Sequence, residues 1–304
     1  MTSLLNQFAD NLLPILLIVL VGYLFQKKLH IAARPLSQVI FYVFAPALIF
    51  KLLITTPIQA VQMAQMALFA ASSMAAVGLL SWTIGKLLSL PAGLLSALLL
   101  TTIFANAGNY GLSLNTFALG NEAAAWASVF FITSALVANS FGIYIAAAGS
   151  MRPANALLAL LRVPVVYAIP LALTLRATTT TLPDAISRPI DLLSAAAIPS
   201  MLIFLGMQIA RYGMPKINRR LLAIALTLRL IVSPFIAIRL APLFGLQGIS
   251  MQAGILEAAM PTAVLTSIIA IEYNVEPEFV TGVILVTTVL SPLTLTPILA
   301  ILHV

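Results

Sequence analysis

No cysteine occurs in the 304 residues, which removes disulfides, thiolate nucleophiles and cysteine-based metal sites together. Charge is nearly as scarce: Asp, Glu, Lys and Arg make up 8% of the chain, about a third of the usual share in soluble domains. Histidine is reduced to His30 and His303, at helix or chain ends. No His-Glu-x-x-His pair, paired aspartate cluster or Gly-x-Ser-x-Gly elbow is present. An intramembrane enzyme would concentrate acidic or metal-binding groups, so catalysis finds no support and no metal or organic cofactor is expected.

What fills the chain instead is apolar: 62% of residues are hydrophobic and the mean hydropathy is +1.11. Apolar runs continue for 20 residues or more, the length a helix needs to cross a bilayer. A window of about 20 residues finds ten spans, at 9–26, 35–54, 63–85, 92–118, 122–148, 156–176, 189–210, 219–242, 248–272 and 277–302. The first lacks a basic region before it and is read as a transmembrane helix rather than a cleaved signal. The lipid bilayer is therefore the expected partner. Nucleic acid is excluded despite a net charge of +7, because the basic residues are thinly spread and sit at span ends without interleaved aromatics. With the N-terminus outside, ten of them (Lys27, Lys28, Arg34, Lys86, Arg152, Arg162, Arg211, Lys216, Arg219, Arg220) fall inside and four (Lys51, Arg176, Arg188, Arg239) outside. That asymmetry places both termini outside.

Two of the spans carry polar residues and helix breakers within them. Thr101-Thr102-Ile103-Phe104-Ala105-Asn106-Ala107-Gly108-Asn109-Tyr110-Gly111 interrupts the fourth, and Glu257-Ala258-Ala259-Met260-Pro261-Thr262 interrupts the ninth. Irregular backbone at membrane depth is tolerated only where protein buries it or a cavity needs it. Paired interruptions in the two halves of a membrane protein point to a transporter's binding site.

The halves match one another at a fixed offset of 154 residues: Arg34-Pro35 with Arg188-Pro189, Ile49-Phe50 with Ile203-Phe204, Glu122 with Glu276, and Thr133-Ser134 with Thr287-Thr288. Chance is the plain alternative in so apolar a chain. Five helices per copy is an odd number, so the second copy enters the membrane from the opposite side. The expected fold is thus an all-α polytopic membrane protein, with residues 1–150 and 151–304 as inverted five-helix repeats and the broken helices four and nine crossing near the midplane.

Phe44-Ala45-Pro46-Ala47-Leu48 in helix two, Asn106-Ala107-Gly108-Asn109-Tyr110-Gly111-Leu112 in helix four, and Met260-Pro261-Thr262-Ala263 with Glu272-Tyr273-Asn274 in helix nine resemble the auxin efflux carrier family. That family includes plant auxin exporters and bacterial carriers of malonate and malate. The resemblance covers essentially the whole chain. It implies a scaffold group and a mobile group of helices, like those of sodium/proton antiporters, with helices four and nine crossing at the site. It also implies a small organic carboxylate as substrate, a bacterial inner membrane as location, and a tendency to homodimerise that no GxxxG-type stripe strongly supports. Ser113 departs from the family, where many members have proline.

Each candidate site residue has two readings. Asn106 and Asn109 are three apart and could share a helix face, their amides meeting a carboxylate or a cation; the plain alternative is interhelical hydrogen bonding, worth about 0.6 to 2 kcal/mol. Pro261 is expected to free the carbonyl of Glu257 and split its helix, or simply to kink it. Tyr110, Gly108 and Thr262 belong to the same two segments. Glu257 stands as a proton carrier or as a solvated residue near the helix end. Arg229 is its partner, an attractor of anions, or a snorkelling side chain. Asn139 and Gln208 either line the path or pack.

The mechanism these residues suggest is alternating access at the Asn106/Pro261 crossing. Entry of a dianion against 100 mV costs about 4.6 kcal/mol, so accumulation would need a coupling ion, H+ or Na+. Export of a monoanion runs downhill and could proceed as uncoupled uniport. A channel built on a selectivity filter or charged ring fits less well than alternating access.

Overall fold

The computed structural model describes residues 6, 8–55, 58–146, 165–178, 182–211 and 218–302. Among them the regular structure is helical, with one isolated bridge between Ala105 and Thr262. In chain order the helices are α1 (Phe8–Leu29), α2 (Pro35–Thr55), α3 (Ala60–Leu87), α4 (Ala92–Ile103), α5 (Ala107–Ala146), α6 (Val165–Ala177), α7 (Asp184–Arg211), α8 (Arg219–Phe244), α9 (Gly248–Ala259), α10 (Leu265–Glu272) and α11 (Pro277–Ile301). Seven of these, all but α4, α6, α9 and α10, are long and apolar enough to cross a membrane.

The expected run at 92–118 is divided between α4 and the start of α5, and the run at 248–272 between α9 and α10. At 40 residues, α5 would be about 60 Å long if straight, twice the thickness of the hydrocarbon core. Gly120 divides it, with φ 83° and ψ −172°, a backbone region essentially confined to glycine. Asn274, 154 positions later, also has a left-handed backbone, at φ 51°, between α10 and α11. The run at 156–176 is described from residue 165 onward, and Arg152, Arg162, Lys216 and the junction at 150/151 lie outside the described residues.

The bundle is apolar on its outside and polar within. Leu17, Leu20, Val21 and Leu24 of α1 and Leu293 of α11 are exposed, whereas Asn106, Asn115, Arg229 and Glu257 are buried. A helix that is apolar all round suits lipid, and polar groups gathered inside mark a functional interior.

Packing sorts the helices into two groups. The first joins α1, α2, α6 and α7, and the second joins α3, α4, α5 and α8 to α11. Within the first group α1 and α7 approach backbone to backbone. A Cβ on Gly206 would lie 1.9 Å from the Val19 carbonyl oxygen, and one on Gly22 would lie 2.1 Å from that of Ile203. Small residues permit such contact where lipid supplies no hydrophobic drive between helices. Lys51 and Asp191 pair at 2.7 Å between α2 and α7, and Arg176 of α6 donates to the carbonyl of Ile58 at 2.9 Å. The second group contains both interruptions, and the Ala107–Gly111 turn at the head of α5 packs against α7 of the first.

Candidate functional site

Helix α4 stops at Ile103, Phe104 takes an extended backbone, and helical structure resumes at Ala107 in a wide turn. Helix α9 stops at Ala259 because Met260 precedes proline and is held extended, at ψ 151°. The two gaps then pair with one another. The amide of Asn106 donates to the carbonyl of Pro261 at 2.7 Å, and that of Ala263 to the carbonyl of Phe104 at 2.9 Å. Thr262 donates through Oγ1 to the carbonyl of Thr101 at 2.7 Å, and its amide donates to Thr287 Oγ1 of α11 at 3.2 Å. An antiparallel bridge of a few residues therefore satisfies groups that lipid could not.

Both first halves end here, so two helix C-termini face each other. Each carries roughly half a negative charge, and one guanidinium offsets both. Arg229, in a wide turn of α8 and 1% exposed, donates through one terminal nitrogen to the carbonyls of Thr102 at 2.8 Å and Ile103 at 3.3 Å. Its other terminal nitrogen donates to the Ala258 carbonyl and to Ser233 Oγ, the latter at 2.9 Å. Ser233 Oγ in turn donates to the Ala258 carbonyl at 2.9 Å.

Glu257, one residue before that carbonyl, is completely buried. Its Oε1 accepts from Asn115 Nδ2 at 3.0 Å, and the same nitrogen donates to the Gly111 carbonyl, also at 3.0 Å. The carboxyl group rests on the backbone of Gly111, where an added Cβ would come within 2.3 Å of Oε2. That close approach is what the glycine provides.

The structure brings Asn106, Asn109, Tyr110, Gly108, Pro261, Thr262, Glu257 and Arg229 to the two paired gaps and their flanks. Asn106 Nδ2 and Asn109 Oδ1 are buried without partners. The two do not share a helix face, since Asn106 at φ −75° and ψ 56° lies before the turn that contains Asn109. Gly108 lies against the ring of Phe131, and Tyr110 receives a 3.5 Å hydrogen bond from Ser291 Oγ. Two expectations need correction. The Glu257 carbonyl is not freed by Pro261, because it accepts from the Met260 amide at 3.3 Å. Nor does Arg229 pair with Glu257: among the described residues the ion pairs are Lys51–Asp191 and Arg188–Asp184.

Asn139 stands apart, in the part of α5 beyond Gly120, with its amide donating to the carbonyl of Ala135 at 2.8 Å. Gln208 lies on α7 with a buried, partnerless Oε1. Its neighbour Ile209 lines a cavity of about 270 Å³ between the two helix groups, walled by α1, α7, α11 and Tyr110. The lining is almost wholly apolar, with Thr288 and the two tyrosines, Tyr23 and Tyr110, as its polar members. Sequence reasoning missed Asn115 and Ser233. Each is a polar residue one helical turn after a group already singled out, Gly111 and Arg229 respectively, and that spacing was the available signal.

Two interrupted helices crossing inside an apolar bundle, with polar side chains gathered at the gaps, are the architecture of a multi-pass membrane transport protein. The chain belongs to the membrane transport protein family, that of the auxin efflux carriers, whose pattern matches residues 8–150 and 150–299. It is 26% identical over 93% of its length to an uncharacterized transporter of Methanothermobacter thermautotrophicus, covering 94% of that chain. A second uncharacterized transporter, from Methanocaldococcus jannaschii, is 25% identical over the same shares, 93% and 94%. Auxin efflux carrier component 1 of Arabidopsis thaliana is 32% identical over 38% of this chain and 19% of its own. The family and these relatives are transporters, not enzymes.

Proposed function

We propose that the protein is a secondary active transporter of small organic carboxylates, of the malonate, malate or auxin type, working by alternating access at the crossing of α4 and α5 with α9 and α10. The observation that carries this reading is the paired interruption itself: Asn106 and Pro261 joined at 2.7 Å, with buried, partnerless polar atoms on Asn106 and Asn109 beside it. Asn106 Nδ2 is a donor left free for a carboxylate. Two packing groups with a cavity on their border supply bodies that can rock about a fixed site.

In this reading the chain makes ten spans in two inverted repeats, residues 1–150 and 151–304, in a bacterial inner membrane with both termini outside. The matching placement of α4 with α9, and of the left-handed Gly120 with Asn274 at the 154-residue offset, supports the repeat. The basic residues at the inner span ends support the orientation. Accumulation of a dianion is driven by an inward H+ or Na+ gradient.

Uptake of labelled malonate into proteoliposomes, with an inward proton gradient, an inward sodium gradient or neither, tests the proposal. Gradient-driven accumulation is the expected result. Folded protein that takes up neither malonate, malate nor an auxin-like monocarboxylate under any gradient would overturn it.

A further inference from the structure

Resting on that reading of the crossing, we infer that Glu257 and Asn115 form the site of a monovalent coupling cation, H+ or Na+, and that Arg229 is not part of it. Glu257 and Asn115 are both wholly buried, and each touches the other through one atom only, Oε1 with Nδ2. The remaining atom of each side chain, Glu257 Oε2 and Asn115 Oδ1, is a buried oxygen without a partner. Both are acceptors in the amide assignment that the Gly111 carbonyl enforces, since only the Nδ2 end of Asn115 can donate to it. A carboxylate and an amide oxygen bare of donors, next to a backbone carbonyl, are the ligands a cation takes and an anion avoids. A proton on Oε2 converts one acceptor into a donor; a sodium ion takes oxygens directly.

Charge accounting leads to the same place. Arg229 is committed to the carbonyls of Thr102, Ile103 and Ala258, so it answers the helix ends and leaves Glu257 uncompensated. On the helices packed against α9, Lys86, Glu122, Arg219, Arg220, Arg239 and Glu278 are exposed. The buried titratable groups there are Arg229 and Tyr110, the second engaged with Ser291. An isolated buried carboxylate is costly, and a bound cation removes that cost. The site also ties the two interrupted segments together: Glu257 belongs to α9 and Asn115 to α5, two helices of the same packing group that meet at the crossing.

Two measurements on purified protein in detergent test this without any substrate. In the first, the thermal midpoint is followed as sodium replaces choline at constant ionic strength, with potassium as control. In the second, infrared difference spectra are searched for the carbonyl stretch of a protonated carboxyl group. If sodium is the occupant, the wild type shows a saturable, sodium-specific rise that is lost in Glu257→Gln and moved about tenfold higher in sodium by Asn115→Ala, which removes a hydrogen bond to a charged group. If the proton is the occupant, the wild type shows no sodium response but a protonated-carboxyl band, lost in Glu257→Gln and shifted in Asn115→Ala. Should Glu257→Gln fail to fold, Asn115→Ala and the wild-type signals still decide. A wild type with neither signal, or with signals unchanged in both variants, overturns the inference. Failed uptake of carboxylates leaves this result standing, and failure here leaves carboxylate transport standing.

Discussion

At the residue scale the site divides its work between a committed charge and an uncommitted hydrogen-bond donor. Arg229 holds the ends of α4 and α9 through three hydrogen bonds, whereas Asn106 offers an unused donor. Their substitutions should therefore fail in different ways. Arg229→Gln leaves buried carbonyls unpaired at about 1 to 3 kcal/mol each, so a lower yield of folded protein and a clearly depressed thermal midpoint are expected, with Arg229→Lys intermediate because it keeps the charge and loses the fork. Asn106→Ala should express and melt like the wild type while carboxylate uptake is abolished; its amide, which bonds Pro261, is backbone and survives the change. Wild-type uptake by that variant would remove Asn106 from the site. A normal melting curve for Arg229→Gln would remove the clamp.

At the element scale the decisive facts are where helices stop and how close they come. Proline at 261 and glycine at 108 and 111 mark the interruptions, and the apolar windows match α1, α2, α3, α8 and α11 to within a few residues, whereas those at 92–118 and 248–272 each run across a break. What the sequence withheld was partnership. Glu257 and Arg229 both appeared as intramembrane charges, and opposite charges invite pairing, yet α8 presents Arg229 to backbone carbonyls and α9 turns Glu257 toward Asn115 of α5. A periodicity gives the face of a helix but not which neighbour's backbone lies open there. The contact of α1 with α7 was hidden for the same reason: Gly22 and Gly206 lie in separate spans, and no spacing within one helix reveals it. Because each glycine meets backbone, which cannot rotate aside, Gly206→Val should force α1 and α7 apart. A loss on the order of 1 to 3 kcal/mol is expected, read as a lower thermal midpoint or as loss of the monodisperse peak in detergent. An unchanged midpoint would show that the two helices separate freely.

At the scale of the whole molecule, composition alone gave the class, since a chain with 8% charge and a mean hydropathy of +1.11 has nowhere stable but a bilayer. The crossing was legible too, because two interruptions half a chain apart have to satisfy their backbone groups somewhere, and the antiparallel bridge from Ala105 to Thr262 lets each serve the other. Less legible was the border between the two helix groups, where a cavity walled by Leu16, Leu205, Val289 and Tyr110 opens beside the crossing. Its walls come from four distant stretches of chain, and Leu16, Leu205 and Val289 are each an unremarkable apolar residue in its own span. Alternating access requires this border to open in turn to either side and expose the crossing. Lack of cysteine makes the most direct measurement clean, since a single Asn109→Cys provides the only thiol. Its labelling in proteoliposomes by a membrane-impermeant thiol reagent, added inside or outside, should proceed from both sides in separate experiments and slow when a transported carboxylate is bound. Labelling from neither side, or from one side only under every gradient and substrate condition, would contradict alternating access at this site.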